Sequence, residues 1–167
     1  MGTWNLPQTT KKAKELQELM KLPLPAKFAS DRLYDLIGDD DLFDKIIIGV
    51  GNNTSKNYMF PLQDRIQWIK DCFEEYPQVE VKTYSGLTVD FCKEVHARFI
   101  LRGLRTSVDF EFERSIGQMN RYLESGIETI FLLSAPQYSP ISSTIVRDII
   151  KHGGNAEPFV GPGVKLK

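Results

Sequence analysis

From Lys45 onward the chain alternates two kinds of apolar pattern. Ile46-Ile47-Ile48-Gly49-Val50, Val79-Glu80-Val81, Phe99-Ile100-Leu101 and Thr129-Ile130-Phe131-Leu132-Leu133 are short, nearly unbroken apolar runs that read as strands. The first is rich in β-branched residues, as in a strand buried on both faces. Between them the apolar residues fall at helical spacing. Pro61 suits the first turn of a helix to about Glu75 that buries Leu62, Ile66, Ile69 and Phe73. Thr88 is placed to cap a helix through Val95, with Val89, Phe91 and Cys92 among its apolar residues, and Ser107 one that reaches roughly Glu124. Ser142-Ser143-Thr144 opens a last helix that ends near Gly153. Strand and helix in alternation predict an α/β fold with a parallel sheet and right-handed crossovers.

Residues 1–44 differ. Ala13, Leu16, Leu19 and Met20 lie at helical spacing within Lys11 to Lys21, which predicts a short amphipathic helix stopped by Pro23 and Pro25. Ser30 or Asp31 is placed to cap a second short helix bearing Leu33, Leu36 and Ile37, ended by Gly38. No segment before residue 44 reads as a strand. Asp39, Asp40, Asp41 and Asp44 read as a solvated loop or acidic helix start in preference to a cation site. The expected organisation is an atypical helical segment over 1–44, an α/β domain over 45–160 and a tail over 161–167.

Composition narrows the function. The 167 residues suffice for one domain with a real core. A net charge of −1 argues against a general nucleic-acid or membrane-surface binder, since both favour a basic excess. Cys72 and Cys92 stand alone, and the two histidines, His96 and His152, are far apart, so neither a disulfide framework nor a structural zinc site is expected. The N-terminus lacks the apolar core of a signal peptide, no run approaches transmembrane length, and Leu6 breaks the myristoylation pattern after Met1-Gly2; a cytoplasmic protein is expected.

Candidate chemistry gathers at one sheet edge. Lys56 follows the strand ending at Val50, and Arg102 and Arg105 follow the strand ending at Leu101. Ser142, Ser143 and Thr144 follow the strand ending near Leu133, at a helix start whose N–H groups and dipole favour an anion. Each alone has an ordinary explanation: a surface lysine, loop arginines, an N-cap. Together, at the carboxyl ends of parallel strands where ligands bind in open α/β sheets, they point to a phosphate-rich ligand. No G-x-x-x-x-G-K-[ST] occurs, nor a Ser-His-Asp or Cys-His arrangement.

Several segments, in order, resemble the phosphopantetheine adenylyltransferase family. They are Ser55-Lys56-Asn57-Tyr58-Met59-Phe60, Tyr84 to Phe91, Arg102-Gly103-Leu104-Arg105 with Asp109-Phe110-Glu111-Phe112-Glu113, Met119-Asn120-Arg121, and Tyr138-Ser139-Pro140-Ile141-Ser142-Ser143-Thr144-Ile145-Val146-Arg147. The resemblance runs from about Phe43 to Phe159. It implies a Rossmann-like nucleotidyltransferase fold, a homohexamer, and a reaction of MgATP with 4′-phosphopantetheine that gives dephospho-coenzyme A and pyrophosphate. Carried over by position, it implies that Lys56 and Arg102 hold the phosphate of phosphopantetheine and that Thr88 and Asn120 line its arm. It implies ATP contacts from Gly103, Leu104, Arg105 and Glu113, and from Tyr138, Ser139, Pro140, Ile141, Ser142, Ser143 and Thr144.

One departure stands out. The family opens with a strand, a Gly-Thr/Ser-Phe-Asp-Pro turn and a Gly-His pair, and ungapped counting back from Phe43-Asp44 puts Leu24 and Arg32 at the threonine and histidine positions. No histidine precedes His96, so no catalytic residue and no protein metal ligand is assigned. The expectation is a sheet whose first strand is replaced by a helical segment. Two functions follow from the resemblance: the adenylyltransferase itself, or a catalytically impaired nucleotide or coenzyme A binder whose N-terminal segment contacts a partner. A cytidylyltransferase is disfavoured, because the Arg102 to Glu113 and Tyr138 to Arg147 segments resemble the phosphopantetheine branch.

Overall fold

The sheet has five strands, in the spatial order Val79–Tyr84, Ile46–Gly51, Leu16–Glu18, Phe99–Leu104 and Glu128–Leu133, with every neighbouring pair parallel. The computed structural model describes residues 16–18, 45–52, 57–161 and 164–166. The elements are β1 (Leu16–Glu18), β2 (Ile46–Gly51), α1 (Leu62–Cys72), β3 (Val79–Tyr84), α2 (Thr88–Glu94), β4 (Phe99–Leu104), α3 (Ser107–Leu123), β5 (Glu128–Leu133) and α4 (Ser143–Lys151). Single 3-10 turns lie at Pro136–Tyr138 and Glu157–Phe159. This is the Rossmann-like parallel sheet that the alternating pattern predicts, and the strand order reverses between β1 and β4, the switch point where such sheets form a crevice.

β1 corrects two expectations, a helix through Lys11 to Lys21 and a sheet without its first strand. Leu16, Gln17 and Glu18 pair with Ile46, Ile47 and Ile48 on one side, and Gln17 and Glu18 pair with Ile100 and Leu101 on the other. Three residues are too few for a period-2 signature, whereas the facing edges of β2 and β4 offer backbone partners indifferent to side-chain type. That pairing outweighs the weak helical preference of so short a segment. The second N-terminal helix, the aspartate cluster, Leu24, Arg32 and Lys56 lie outside the described residues.

Alternation along the strands sends side chains to two faces. Ile46, Ile48, Val50 and Leu101 pack with Ile69, Cys72 and Phe73 under α1. Ile47 and Ile100 point the other way, onto Val89, Phe91, Cys92, Ala97 and Ile127. A third cluster joins Trp68 on the far side of α1 to Val146 of α4 and to Ala156 and Val160. Val164 and Leu166 pack against it, so residues beyond 160, expected as a tail, contribute to the core. α1 stops at Cys72, short of the expected Glu75, and buries two residues its apolar spacing did not single out, Arg65 and Trp68. The Arg65 side chain, 3% exposed, lies over the Tyr58 ring at 4.0 Å from its centroid.

Helix starts move slightly from their expected places. Thr88 is the first residue of α2 and does not cap it; its hydroxyl lies 3.4 Å from that of Tyr84. Thr106, in place of Ser107, caps α3 by accepting the Asp109 N–H at 3.2 Å. At the end of α2 the chain turns through His96 at φ 59°, with the His96 N–H bonding Lys93 O and the Ala97 N–H bonding Cys92 O. That is a Schellman close with a β-carbon where glycine is preferred. His96→Gly is therefore expected to stabilise the protein by about 1 kcal/mol, read as a rise of roughly 2–4 °C in a thermal melt; a lower melting temperature would contradict it.

α3 is unusual for its length. None of its 17 residues is buried. Asp109, Glu113, Ile116, Gly117 and Asn120, at i, i+4, i+7, i+8 and i+11, form its less exposed face, and Glu113 through Asn120 of that set meet the sheet. The opposite side carries Val108 (76% exposed), Phe112, Met119 and Tyr122 (85% exposed). A polar face inward and an apolar stripe outward invert the usual surface helix. Among the described residues, no helix is long and apolar enough to cross a membrane.

Candidate active site

Pairing with β5 carries β4 past Leu101, the strand end expected from the apolar run, as far as Leu104. Backbone bonding is indifferent to the charge on Arg102, and the Ser134 N–H closes the ladder on Leu104 O at 2.8 Å. Two residues along from Ile100, Arg102 takes the same face of the sheet, the one covered by α2 and α3. Its Nε donates to Glu113 Oε2 at 2.8 Å, and its Nη2 donates to Oε1 of the same carboxylate. The two side chains are only 14% and 15% exposed. A forked, largely dehydrated pair of this kind is held in one geometry and is screened far less than a surface ion pair.

That pair forms one wall of a narrow cleft. Thr88 at the start of α2 and Asn120 on α3 line it, with Ile100, Ile116, Gly117 and Thr129 completing the walls. Thus Thr88, Arg102 and Asn120, which the resemblance implies for one substrate, open onto a single space. Gly117 allows the close approach of α3 to β5: a β-carbon there would meet the Thr129 side chain at 3.2 Å. Glu113, implied as an ATP contact, stands in the same cleft with its carboxylate on Arg102.

Arg105 organises the neighbouring turn. Its Nε donates to Asp109 Oδ2 at 3.2 Å, its Nη2 to Asp109 Oδ1 at 3.4 Å, and its backbone N–H to Oδ2 at 3.2 Å. The remaining arm of the fork, Nη1, donates to the carbonyl of Ile141 at 3.1 Å. One guanidinium therefore ties the β4–α3 turn to the segment leading into α4, bringing together two groups implied for ATP from residues 36 positions apart. Tyr138 ends the 3-10 turn, and the Ile141 N–H bonds its carbonyl at 3.0 Å; Ser139 and Pro140 lie between. Ser142 caps α4 by accepting the Ile145 N–H at 3.2 Å, which leaves Ser143 and Thr144 as its first helical residues. The Thr144 hydroxyl accepts from Arg147 at 3.2 Å. Gly103, between the two arginines, is exposed at the strand end, and Leu104 is buried.

Tyr58 donates to the Gly51 carbonyl at 3.5 Å and stacks under Arg65, so the residues entering α1 are tied back to the end of β2. Sequence reasoning missed Arg65 and Asp109. Asp109 had a signal in its i, i+4 spacing from Arg105. The Arg102–Glu113 contact had none, because it joins a strand to a helix. Burial pushes the thiols of Cys72 and Cys92 up to about 11, with the Asp71 charge adding at Cys72, so neither is a nucleophile near neutral pH.

A parallel sheet of this order, with guanidinium groups and a helix N-terminus at its switch point, is the framework of a nucleotide-handling α/β protein. Residues 40–149 match the cytidylyltransferase-like family model. Among curated proteins, the phosphopantetheine adenylyltransferase of Christiangramia forsetii is 56% identical over 126 residues, which span 75% of this chain and 82% of that protein. The Flavobacterium psychrophilum enzyme of the same name is 54% identical over 75% of this chain and 83% of its own length. That of Bacteroides fragilis is 40% identical over 74% of this chain and 81% of its own. The chain belongs to the phosphopantetheine adenylyltransferase family of nucleotidyltransferases.

Proposed function

We propose that this chain transfers the adenylyl group of ATP to 4′-phosphopantetheine, giving dephospho-coenzyme A and pyrophosphate, a step of coenzyme A biosynthesis in the cytoplasm. The observation that carries the reading is the shared cleft: Thr88, Arg102 and Asn120 converge on one space beside the switch point. Arg102 and Lys56 hold the phosphate of 4′-phosphopantetheine, and Thr88 and Asn120 line the path of its arm. ATP, entering as its magnesium complex, lies against Gly103, Leu104 and Arg105, with its phosphates towards Ser142, Ser143 and Thr144 at the start of α4. Glu113 stands between the two substrates. A phosphate oxygen of 4′-phosphopantetheine attacks the α-phosphorus, the bond to the α–β bridging oxygen breaks, and pyrophosphate leaves with the electron pair. The protein contributes orientation of the two phosphates and stabilisation of the charge passing between them.

A homo-oligomer, a hexamer by resemblance, fits the inverted α3. The apolar stripe of Val108, Phe112, Met119 and Tyr122 is the kind of patch that association covers.

The test is pyrophosphate release by the full chain with ATP and 4′-phosphopantetheine. Release is expected only with both present. Arg102→Ala is expected to raise KM for 4′-phosphopantetheine by about 100-fold, the loss of a charge-assisted, largely dehydrated phosphate contact, with KM for ATP changed far less. Binding of both substrates without pyrophosphate release would instead identify the non-catalytic binder, a reading favoured by the absence of any histidine before His96.

A further inference from the structure

The Arg102 fork faces the cleft already engaged by a carboxylate. Glu113 takes its Nε–H and one of its Nη2 hydrogens, in a wall where both side chains are mostly out of water. Resting on the placement of the 4′-phosphopantetheine phosphate at Arg102, we infer that Glu113 is a positioning residue that acts through Arg102: it aims the guanidinium at the cleft and, as a fixed negative charge beside the bound phosphate, weakens ground-state binding in favour of the transition state.

The charge balance of the reaction supplies the reason. A phosphomonoester is largely dianionic at neutral pH. When one of its oxygens bonds to the α-phosphorus, that phosphate becomes half of a diphosphate bridge and keeps a single negative charge, while the electron pair of the broken bond leaves on pyrophosphate. Negative charge thus moves away from Arg102 as the reaction proceeds. A carboxylate held against Arg102 opposes the dianion more than the transition state, so its repulsion is partly relieved on the way up the barrier. Thr88, Asn120 and Thr129, the other polar side chains lining the cleft, are neutral and cannot do this. Nor does Asp109 reach it, because its carboxylate is bound to Arg105.

Glu113→Gln keeps the shape and one acceptor for the fork while removing the charge. By calorimetry on the full chain, this variant is expected to bind 4′-phosphopantetheine about tenfold more tightly, the scale of one unit charge removed from a partly dehydrated site. Pantetheine, which lacks the phosphate, should bind as it does to the unaltered protein, and Glu113→Asp, which keeps the charge, should stay within about threefold of it. In steady state, KM for 4′-phosphopantetheine and kcat should fall together, the signature of relieved ground-state opposition. Unchanged or weaker binding of 4′-phosphopantetheine to Glu113→Gln overturns the inference, as does equal tightening of pantetheine. Arg102→Ala separates the two levels. If it leaves 4′-phosphopantetheine binding unchanged, the placement of the phosphate fails and the inference with it. If it weakens binding while Glu113→Gln does not tighten it, only the role of Glu113 is lost.

Discussion

Arg105→Ala is expected to lower kcat/KM by about a thousandfold, roughly 4 kcal/mol of transition-state stabilisation, and so to be the most damaging single substitution in the site. Two losses combine. The guanidinium is bonded to the Ile141 carbonyl, just before the start of α4, where the ATP phosphates are proposed to lie. It is also the only connection, among the described hydrogen bonds, between the β4–α3 turn and the Ile141 carbonyl. Without it the segment from Tyr138 to Ser142 loses its tie to the strand that carries Arg102, and a small displacement of donors costs heavily in a reaction driven by orientation. Arg105→Lys restores a charge but no fork, and a single ammonium cannot hold Asp109 and Ile141 together; recovery of no more than about tenfold is expected. Stability should move little, because the Asp109 side chain is 29% exposed and rehydrates when its partner is removed. Loss of activity with an unchanged melt is the expected pair of results. A kcat/KM within tenfold of the unaltered protein would show that Arg105 does not meet ATP.

The regularity of the sequence after Lys45 carried most of the architecture. Ile46 to Val50 reads as a doubly buried strand, and the helical spacing of Leu62, Ile66 and Ile69 predicts the helix that covers it. The shared cleft was legible in part: parallel strands with right-handed crossovers force the ends of β2, β4 and β5 to one edge, so the placement of Arg105 near Ile141 follows from topology. What was not legible falls into two kinds. Partner choice among charged groups depends on helix rotation and tilt, so a sequence that shows Arg102 and Glu113 does not show them bonded. The outward apolar stripe of α3 reads, in sequence, like an ordinary core-facing pattern; only the structure shows Phe112 and Tyr122 on the solvent side. In both cases the residues are visible in the sequence and what they face is set by tertiary packing.

β1 differs from both, because its three residues carry no strand signal of their own. Gln17→Pro is expected to destabilise the protein by at least about 3 kcal/mol, a fall of roughly 10 °C in the thermal midpoint for a chain of this size, whereas Gln17→Ala should leave it nearly unchanged. Gln17 is the middle residue of a strand paired on both sides, with Ile47 and with Ile100. Proline there removes a ladder hydrogen bond and sets its ring against a neighbouring strand, which a sheet tolerates only at an edge. Nothing in the composition of Leu16-Gln17-Glu18 asks for a strand, so the effect of alanine isolates side-chain preference from backbone pairing. If the segment were the amphipathic helix that its spacing suggests, standing apart from the sheet, proline would break only that helix and the global melt would hardly move. A large loss from proline with tolerance of alanine is the outcome that β1 requires.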